Sequence, residues 1–191
     1  MRLDLGAGGR PREGFLGVDV VQVTPETCRF DLICGSQWPW PDSSVDELAS
    51  SHFIEHIPAD YVEVMKRVPN GGSFNILRAQ QDRLLFFFDQ AFRVIKPGGL
   101  FHLTWPALKS TDAFRDPTHR RFIPLEMLHY LSTSGRAAMG LEHYEATCNW
   151  VTLGDSLIHC ESSVPVDDAH DAINRHWDVQ KAFTVTLQAE K

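Results

Sequence analysis

The chain has 191 residues, 43% of them apolar, with 12 Phe and 5 Trp, which is enough for one domain with a sizeable core. Charged residues at 23% and a mean hydropathy of -0.21 exclude a disordered chain. Acids outnumber bases 25 to 18, a net charge of -7, which argues against the broad basic footprint of a binder of bulk nucleic acid.

No apolar run approaches the roughly 20 residues of a membrane span. No charged segment followed by an apolar one and a small-residue cleavage site opens the chain. Cys28, Cys34, Cys148 and Cys160 form no C-x-x-C pair. The expectation is a cytoplasmic protein with reduced, partly buried thiols. No repeat, low-complexity tract or linker interrupts the sequence, so 1–191 is read as one domain.

In chain order, Arg2 to Leu5 is a short apolar-leaning run that stops at Gly6 and reads as a buried strand. Phe15 to Val21 is a second strand and Thr27 to Leu32 a third. Val45 to Ser50 is a fourth, entered through the turn-rich Trp38-Pro39-Trp40-Pro41-Asp42. Pro69-Asn70-Gly71-Gly72-Ser73 is a loop, and Lys66 to Ile76 looks like an insertion. Leu77, Leu84, Leu85, Phe88, Phe92 and Ile95 then recur with the one-face period of an amphipathic helix. Lys96-Pro97-Gly98-Gly99 stops that helix and turns into a fifth strand, Leu100 to Trp105. A further helix is expected from Pro124, and two β-rich stretches follow, Tyr144 to Cys160 and Phe183 to Leu187. Strands alternating with helices or tight crossovers predict an α/β fold, parallel over most of its sheet, with an antiparallel C-terminal strand pair.

Leu3-Asp4-Leu5-Gly6-Ala7-Gly8-Gly9 places glycines where the first strand ends, and Asp19 closes the second strand 13 residues after Gly6. A sheet of this type binds ligands beyond the carboxyl ends of its strands. Glycine there lets a backbone approach a ligand, and a carboxylate there can accept from both hydroxyls of a ribose. The bland alternative is a tight turn and a surface acid. A pyrophosphate dinucleotide requires G-x-G-x-x-G opening a helix, with the acid about 20 residues on. Here the last position of that pattern is Pro11, and Gly9 to Gly14 is too short and broken for a helix. A nucleoside without phosphates needs no helix dipole, and S-adenosylmethionine is such a ligand.

With these residues in hand, the chain resembles the class I S-adenosylmethionine-dependent methyltransferases, in a compact type-11-like group. The likeness spans Leu3 to about Leu131. It is carried by LDLGAGG at 3–9, GVDV at 17–20, FDLI at 30–33, WPDSSVDELASSHFIEHI from Trp40 to Ile57, and FRVIKPGGLFHLTWP at 92–106. The resemblance implies a Rossmann-like, doubly wound, mostly parallel sheet with a shortened first crossover. It also implies residue roles. Gly6, Ala7 and Gly8 would line the methionine half of the cofactor, with Asp4 nearby. Asp19 would hold the ribose. Asp31 would accept from the adenine amino group, with Leu32 beside it. Ser51 and His52 would close the pocket near the methionine amino group and sulfonium. The missing helix between the first two strands leaves one flank of that pocket open or covered by a partner.

Two further clusters carry ionisable groups. His52-Phe53-Ile54-Glu55-His56 matches H-x-x-E-H, a zinc-peptidase pattern, but Pro58 follows at once and the resembling family carries the same letters in this loop. No metal is therefore assigned. Asp112 to Phe122 follows the fifth strand and is read as an acceptor loop, with His119 as general base or orienter and Asp116 as its partner. The competing reading of this loop is an Asp-Pro-Thr turn with solvated basic residues. Trp105, Phe114 and Phe122 could flank an acceptor, and Phe86-Phe87-Phe88 reads as core or partly as a partner surface.

The function expected is methyl transfer from S-adenosylmethionine, leaving S-adenosylhomocysteine, to an unidentified acceptor by in-line displacement. The alternatives are a cofactor-binding, non-catalytic partner subunit of a heteromeric methyltransferase, and a zinc hydrolase using His52 and His56. The acceptor is open between a small molecule, a sugar and a protein side chain, with no membrane as partner, and self-association is open too.

Overall fold

The computed structural model describes residues 1–25, 27–70, 73–144, 146–154, 157–159, 177–178 and 180–191, without the side chains of 66–77 and 157–159. Four strands answer the expected ones. These are β1 (Arg2–Leu5), β2 (Leu16–Asp19), β3 (Cys28–Arg29) and β4 (Val45–Ser51). The ends of β2 and β3 are trimmed because aspartates turn the chain there. Asp19 Oδ1 accepts from the Val21 N–H at 3.1 Å and Asp31 Oδ1 from the Ile33 N–H at 3.0 Å, two local turns that end the ladder. No helix joins β1 to β2, so the first crossover is short, as expected.

The segment after β4 differs from the expectation. Leu77 does not begin a helix. It lies in a hairpin of β5 (Tyr61–Asn70) and β6 (Ser73–Asp82), paired from Tyr61 with Asp82 to Asn70 with Ser73. The apolar period that suggested a helix from Leu77 belongs to two elements. Helix α1 (Arg83–Val94) starts only where Asp82 caps it, its Oδ1 accepting from the Leu84 N–H at 2.9 Å and the Leu85 N–H at 3.4 Å. Of the stretch expected to be an insertion, Lys66 to Asn70 lies in β5 and Ser73 to Ile76 in β6.

Strand β7 (Ile95–Pro106) begins immediately after α1 and runs through Lys96-Pro97-Gly98-Gly99. The expected turn sits inside the strand as an irregularity, since Val45 pairs with Ile95 but Glu47 with Leu100, and Gly98 has φ +73°. A short helix α2 (Thr111–Arg115) follows. From Pro124 the chain makes a 3-10 turn, Leu125–Leu131, rather than the expected α-helix, and then α3 (Thr133–Ala138), capped by Ser132 Oγ accepting from the Gly135 N–H at 3.0 Å. The last strands are β8 (Trp150–Thr152), β9 (Leu157–His159) and β10 (Ala182–Ala189). Cys160 lies outside the described residues.

The sheet runs β3-β2-β1-β4-β7-β10-β8, with β9 also paired to β10. Pairs from β3 to β7 are parallel, and β10 is antiparallel to β7, β8 and β9. Few helices flank it. One sheet face carries Leu3, Leu5, Leu48, Phe101, Leu103, Val185 and Leu187, all buried in one core with Phe87 and Phe88 of α1. The alternate positions are polar and half-buried: His102 reaches Glu47 at 2.9 Å and Thr186 at 3.1 Å, and Thr104 meets Thr184 at 3.2 Å. Phe86, Phe87 and Phe88 are all buried, so the Phe run is core. Among the described residues, no helix is long and apolar enough to cross a membrane.

Candidate functional site at the strand tips

Strands β1, β2, β4 and β7 are mutually parallel, so their carboxyl ends form one edge, where such sheets receive ligands. At the end of β1 the chain turns over Gly6 and Gly8, with φ +70° and +54°. The Gly6 and Ala7 N–H groups both donate to the Val18 carbonyl, at 2.8 and 3.2 Å, and pin the turn to β2. The two glycines answer different needs. A Cβ on Gly6 would stand 2.2 Å from Phe53 Cδ2, so a packed ring as well as the backbone demands glycine there. A Cβ on Gly8 would meet nothing within 4 Å, and the space beside it is open.

Asp19 ends β2 facing this turn. Its Oδ2 accepts from the Gly8 N–H at 2.9 Å while Oδ1 holds the Val21 N–H. Each oxygen keeps capacity for another donor. Asp31 is exposed just past β3. Leu32 turns its side chain into the core and its carbonyl accepts from Trp38 Nε1 at 3.0 Å, so only its backbone N–H is left to meet a ligand. Asp4 is buried and braces the crossover, its Oδ2 accepting from the Arg12 N–H at 2.7 Å. Burial pushes the Asp4 carboxyl up, against the hydrogen bond and charge of Arg12.

Ser51 and His52 are exposed at the end of β4. His52 takes the left-handed φ of +52°, and its N–H donates to the Thr104 carbonyl at 2.9 Å. Its ring Nδ1 lies 3.2 Å from Glu55 Oε1, and that hydrogen bond raises the imidazole pKa against the opposing effect of burial. The rest of H-x-x-E-H forms a 3-10 turn, Ile54–His56, not a helix. A zinc site built on His52 and His56 from one helix face is therefore not what the chain makes.

His56 meets His119 instead, with ring centroids 4.8 Å apart. The acceptor loop is tied onto this turn, because the Glu55 carbonyl accepts from the Arg120 and Arg121 N–H groups at 2.8 and 3.0 Å. The Arg121 guanidinium adds bonds to the Ile57 carbonyl at 3.0 Å and to Asp82 at 2.9 Å. His119 Nδ1 is 2.8 Å from the Ala113 carbonyl. The His119 N–H donates to the Asp116 carbonyl at 3.2 Å, but the Asp116 carboxylate bonds to Thr118. It accepts from the Thr118 N–H at 2.8 Å and the Thr118 hydroxyl at 2.7 Å, which holds its carboxyl below the ordinary range. Thr118 Oγ1 in turn lies 3.0 Å from His56 Nδ1, so Asp116 reaches His56 through Thr118. Phe114 and Phe122 stack at 4.4 Å and are exposed, whereas Trp105 is core, its Nε1 donating to the Ile123 carbonyl at 2.9 Å.

The sequence shows Glu55 and Phe53 within H-x-x-E-H but gives them no role at the strand tips. Sequence reading also missed the exposed Val20, Val21 and Val23 beside Asp19. The tips form a half-exposed ledge. Two larger hollows lie elsewhere: one of about 500 Å³ lined by Tyr61, Asp82, Arg121 and Tyr130, and one of about 810 Å³ between the hairpin and α1. Neither is lined by Gly6, Gly8, Asp19 or Asp31.

No protein-family model matches the sequence, and no curated protein matches it. Among solved structures, a SAM dependent methyltransferase from Archaeoglobus fulgidus aligns with a TM-score of 0.56 and 16% identity, over 98% of this chain and 85% of that one. The YcgJ protein from Bacillus subtilis aligns at 0.52 and 15% identity, over 100% of this chain and 92% of that one. The chain has the class I S-adenosylmethionine-dependent methyltransferase fold. The cyclase SpnF shares this methyltransferase fold, with a TM-score of 0.52 and 15% identity over 99% of this chain and 74% of that one. The methyltransferase fold alone therefore leaves the reaction to be argued from the site.

Proposed function

We propose that the protein binds S-adenosylmethionine at the tips of β1 to β3 and transfers its methyl group to an acceptor held against residues 52–56 and 112–122. The observation that carries this reading is the Asp19 carboxylate, fixed by two backbone N–H groups beside an open glycine turn. Fixed in this way, its two oxygens are set to receive the two ribose hydroxyls without losing side-chain freedom on binding. Gly6, Ala7 and Gly8 present backbone to the methionine half, with Asp4 bracing that turn from beneath. Asp31 and the Leu32 backbone N–H take the adenine, and Ser51 and His52 close the methionine end. The hollow of about 500 Å³ has one carboxylate, Asp82, whose Oδ1 already accepts from two N–H groups and whose Oδ2 accepts from the Arg121 guanidinium.

When bound, S-adenosylmethionine supplies a methyl group already activated by its sulfonium. The chain's own work is then positioning, which can contribute about 7–11 kcal/mol. Phe114 and Phe122 offer a flat apolar wall on the acceptor side. His119 and Asp116 belong to that side as well. His119 orients the acceptor from that side, and Asp116 acts through Thr118 on His56. Groups that manage an acceptor's proton add about 10²–10⁴-fold.

The test is calorimetry with S-adenosylhomocysteine on the full chain and on Asp19→Ala, followed by labelled methyl transfer from S-adenosylmethionine to metabolite and protein pools. Binding that Asp19→Ala weakens, with label passing to an acceptor, supports the reading. No binding to the folded protein overturns it.

A further inference from the structure

The geometry points to a divalent-metal site formed by Glu55, His56 and His119. Their ligand atoms all lie within 4.8 Å of one another, the one such grouping of three among the described residues. Proximity is not the whole of it, because the hydrogen bonds around both imidazoles set their tautomers. His119 Nδ1 faces the Ala113 carbonyl at 2.8 Å. A carbonyl only accepts, so in the neutral ring Nδ1 carries the proton and Nε2 the lone pair. His56 Nδ1 faces Thr118 Oγ1 at 3.0 Å, and that hydroxyl spends its own proton on Asp116 Oδ1 at 2.7 Å. His56 Nδ1 is therefore the donor, and its Nε2 is bare too. A carbonyl behind one imidazole and a carboxylate, relayed by a hydroxyl, behind the other is the outer support that metal-binding histidines use.

The third donor points the same way. Glu55 is 2% exposed. Its Oε1 is engaged by His52, while Oε2 is buried with no hydrogen-bond partner among the described residues. A buried carboxylate oxygen left bare is costly, and a bound cation removes that cost. The sequence pattern H-x-x-E-H is thus used differently from a helical zinc motif. Its first histidine holds the carboxylate, its glutamate and second histidine bind the ion, and the third ligand comes from residue 119.

Two imidazole nitrogens and one carboxylate oxygen suit a first-row transition ion such as Zn²⁺ rather than Mg²⁺ or Ca²⁺, which prefer oxygen. Bonds of about 2.0–2.2 Å would draw the three donors to about 3.4 Å apart. Three protein donors leave a position open, as in catalytic rather than closed structural sites. An acceptor hydroxyl or carboxylate could fill it. The metal's use in catalysis rests on the proposed methyl transfer, whereas its binding does not.

Chelator-treated full chain is titrated with Zn²⁺ by calorimetry and with Co²⁺ by visible absorption, without S-adenosylmethionine. The expected result is one ion per chain, at least about 100-fold weaker in His119→Ala and in Glu55→Gln, with His129→Ala binding as the unmodified protein does. Circular dichroism shows whether each variant is folded, and Glu55→Gln keeps the shape of the side chain should His119→Ala not fold. Equal affinity in folded Glu55→Gln and the unmodified protein overturns the site, as does no binding. A thiolate-to-cobalt charge-transfer band also overturns it, by placing the ion on the cysteines. Because no cofactor is present, failure here leaves the S-adenosylhomocysteine result untouched.

Discussion

On the β1–β3 side of the sheet's carboxyl edge, backbone does the holding. Glycines turn the chain, amide N–H groups fix Asp19, and the space beside Gly8 is open. On the β4–β7 side, side chains hold one another: His52 with Glu55, Thr118 with Asp116 and His56, and Arg121 with Asp82. The first arrangement offers few groups of fixed place, which suits one constant ligand. The second brings ionisable groups together, two of them with bare nitrogens, which suits chemistry on a variable one.

The sharpest break between the sides is at residue 6. Gly6→Ala combines a left-handed φ, about 1–2 kcal/mol, with overpacking against Phe53, about 1–3 kcal/mol. Urea unfolding is expected to show a loss of about 2–5 kcal/mol, and a loss no larger than that of Gly8→Ala would mean Phe53 does not pack there. Asp19→Ala is expected to weaken S-adenosylhomocysteine by about 10- to 100-fold, as loss of hydrogen bonds to a charged group does. An unchanged isotherm would remove the ribose role. Gly8→Ala keeps the backbone penalty of about 1–2 kcal/mol but meets no neighbour. It should therefore cost less stability than Gly6→Ala, with a larger share of its effect on ligand affinity. Equal destabilisation by the two would erase the distinction between a packing glycine and a ligand-facing one.

The smallest effect is a titration. Glu55 raises the His52 pKa above its ordinary value of 6.5, so the pair stabilises the folded chain below that value. The contribution is lost as pH rises through the folded midpoint. Nuclear magnetic resonance of the metal-free protein should give His52 a midpoint above 6.5, and Glu55→Gln should lower it. A midpoint unmoved by Glu55→Gln would separate the two groups.

Much of the edge was legible because its signals are local. An apolar run stops at Gly6, an acid closes a strand at Asp19, and the Lys96-Pro97-Gly98-Gly99 signal marks where helix gives way to strand. The hairpin was not read, although Gly71-Gly72 between two runs is a hairpin signal. Leu77 falls in phase with α1 and Pro69-Asn70-Gly71-Gly72-Ser73 reads as a plain loop, so the helical period wins. The cluster at Glu55 was hidden for another reason. His119 stands 64 residues away, and the Arg120 and Arg121 bonds to the Glu55 carbonyl that bring it home leave no local pattern. H-x-x-E-H was visible, but its spacing suggested the wrong histidine pair.

The central claim is that an adenosyl ligand sits on the tips of β1 to β3. A heteronuclear shift titration with S-adenosylhomocysteine tests where it binds as well as whether it binds. The account predicts movement of the Gly6, Gly8, Val21 and Ile33 amides, with Gln80, Tyr130 and Tyr144 of the 500 Å³ hollow still. Movement confined to the hollow, with the Gly8 and Val21 amides unchanged, would contradict it.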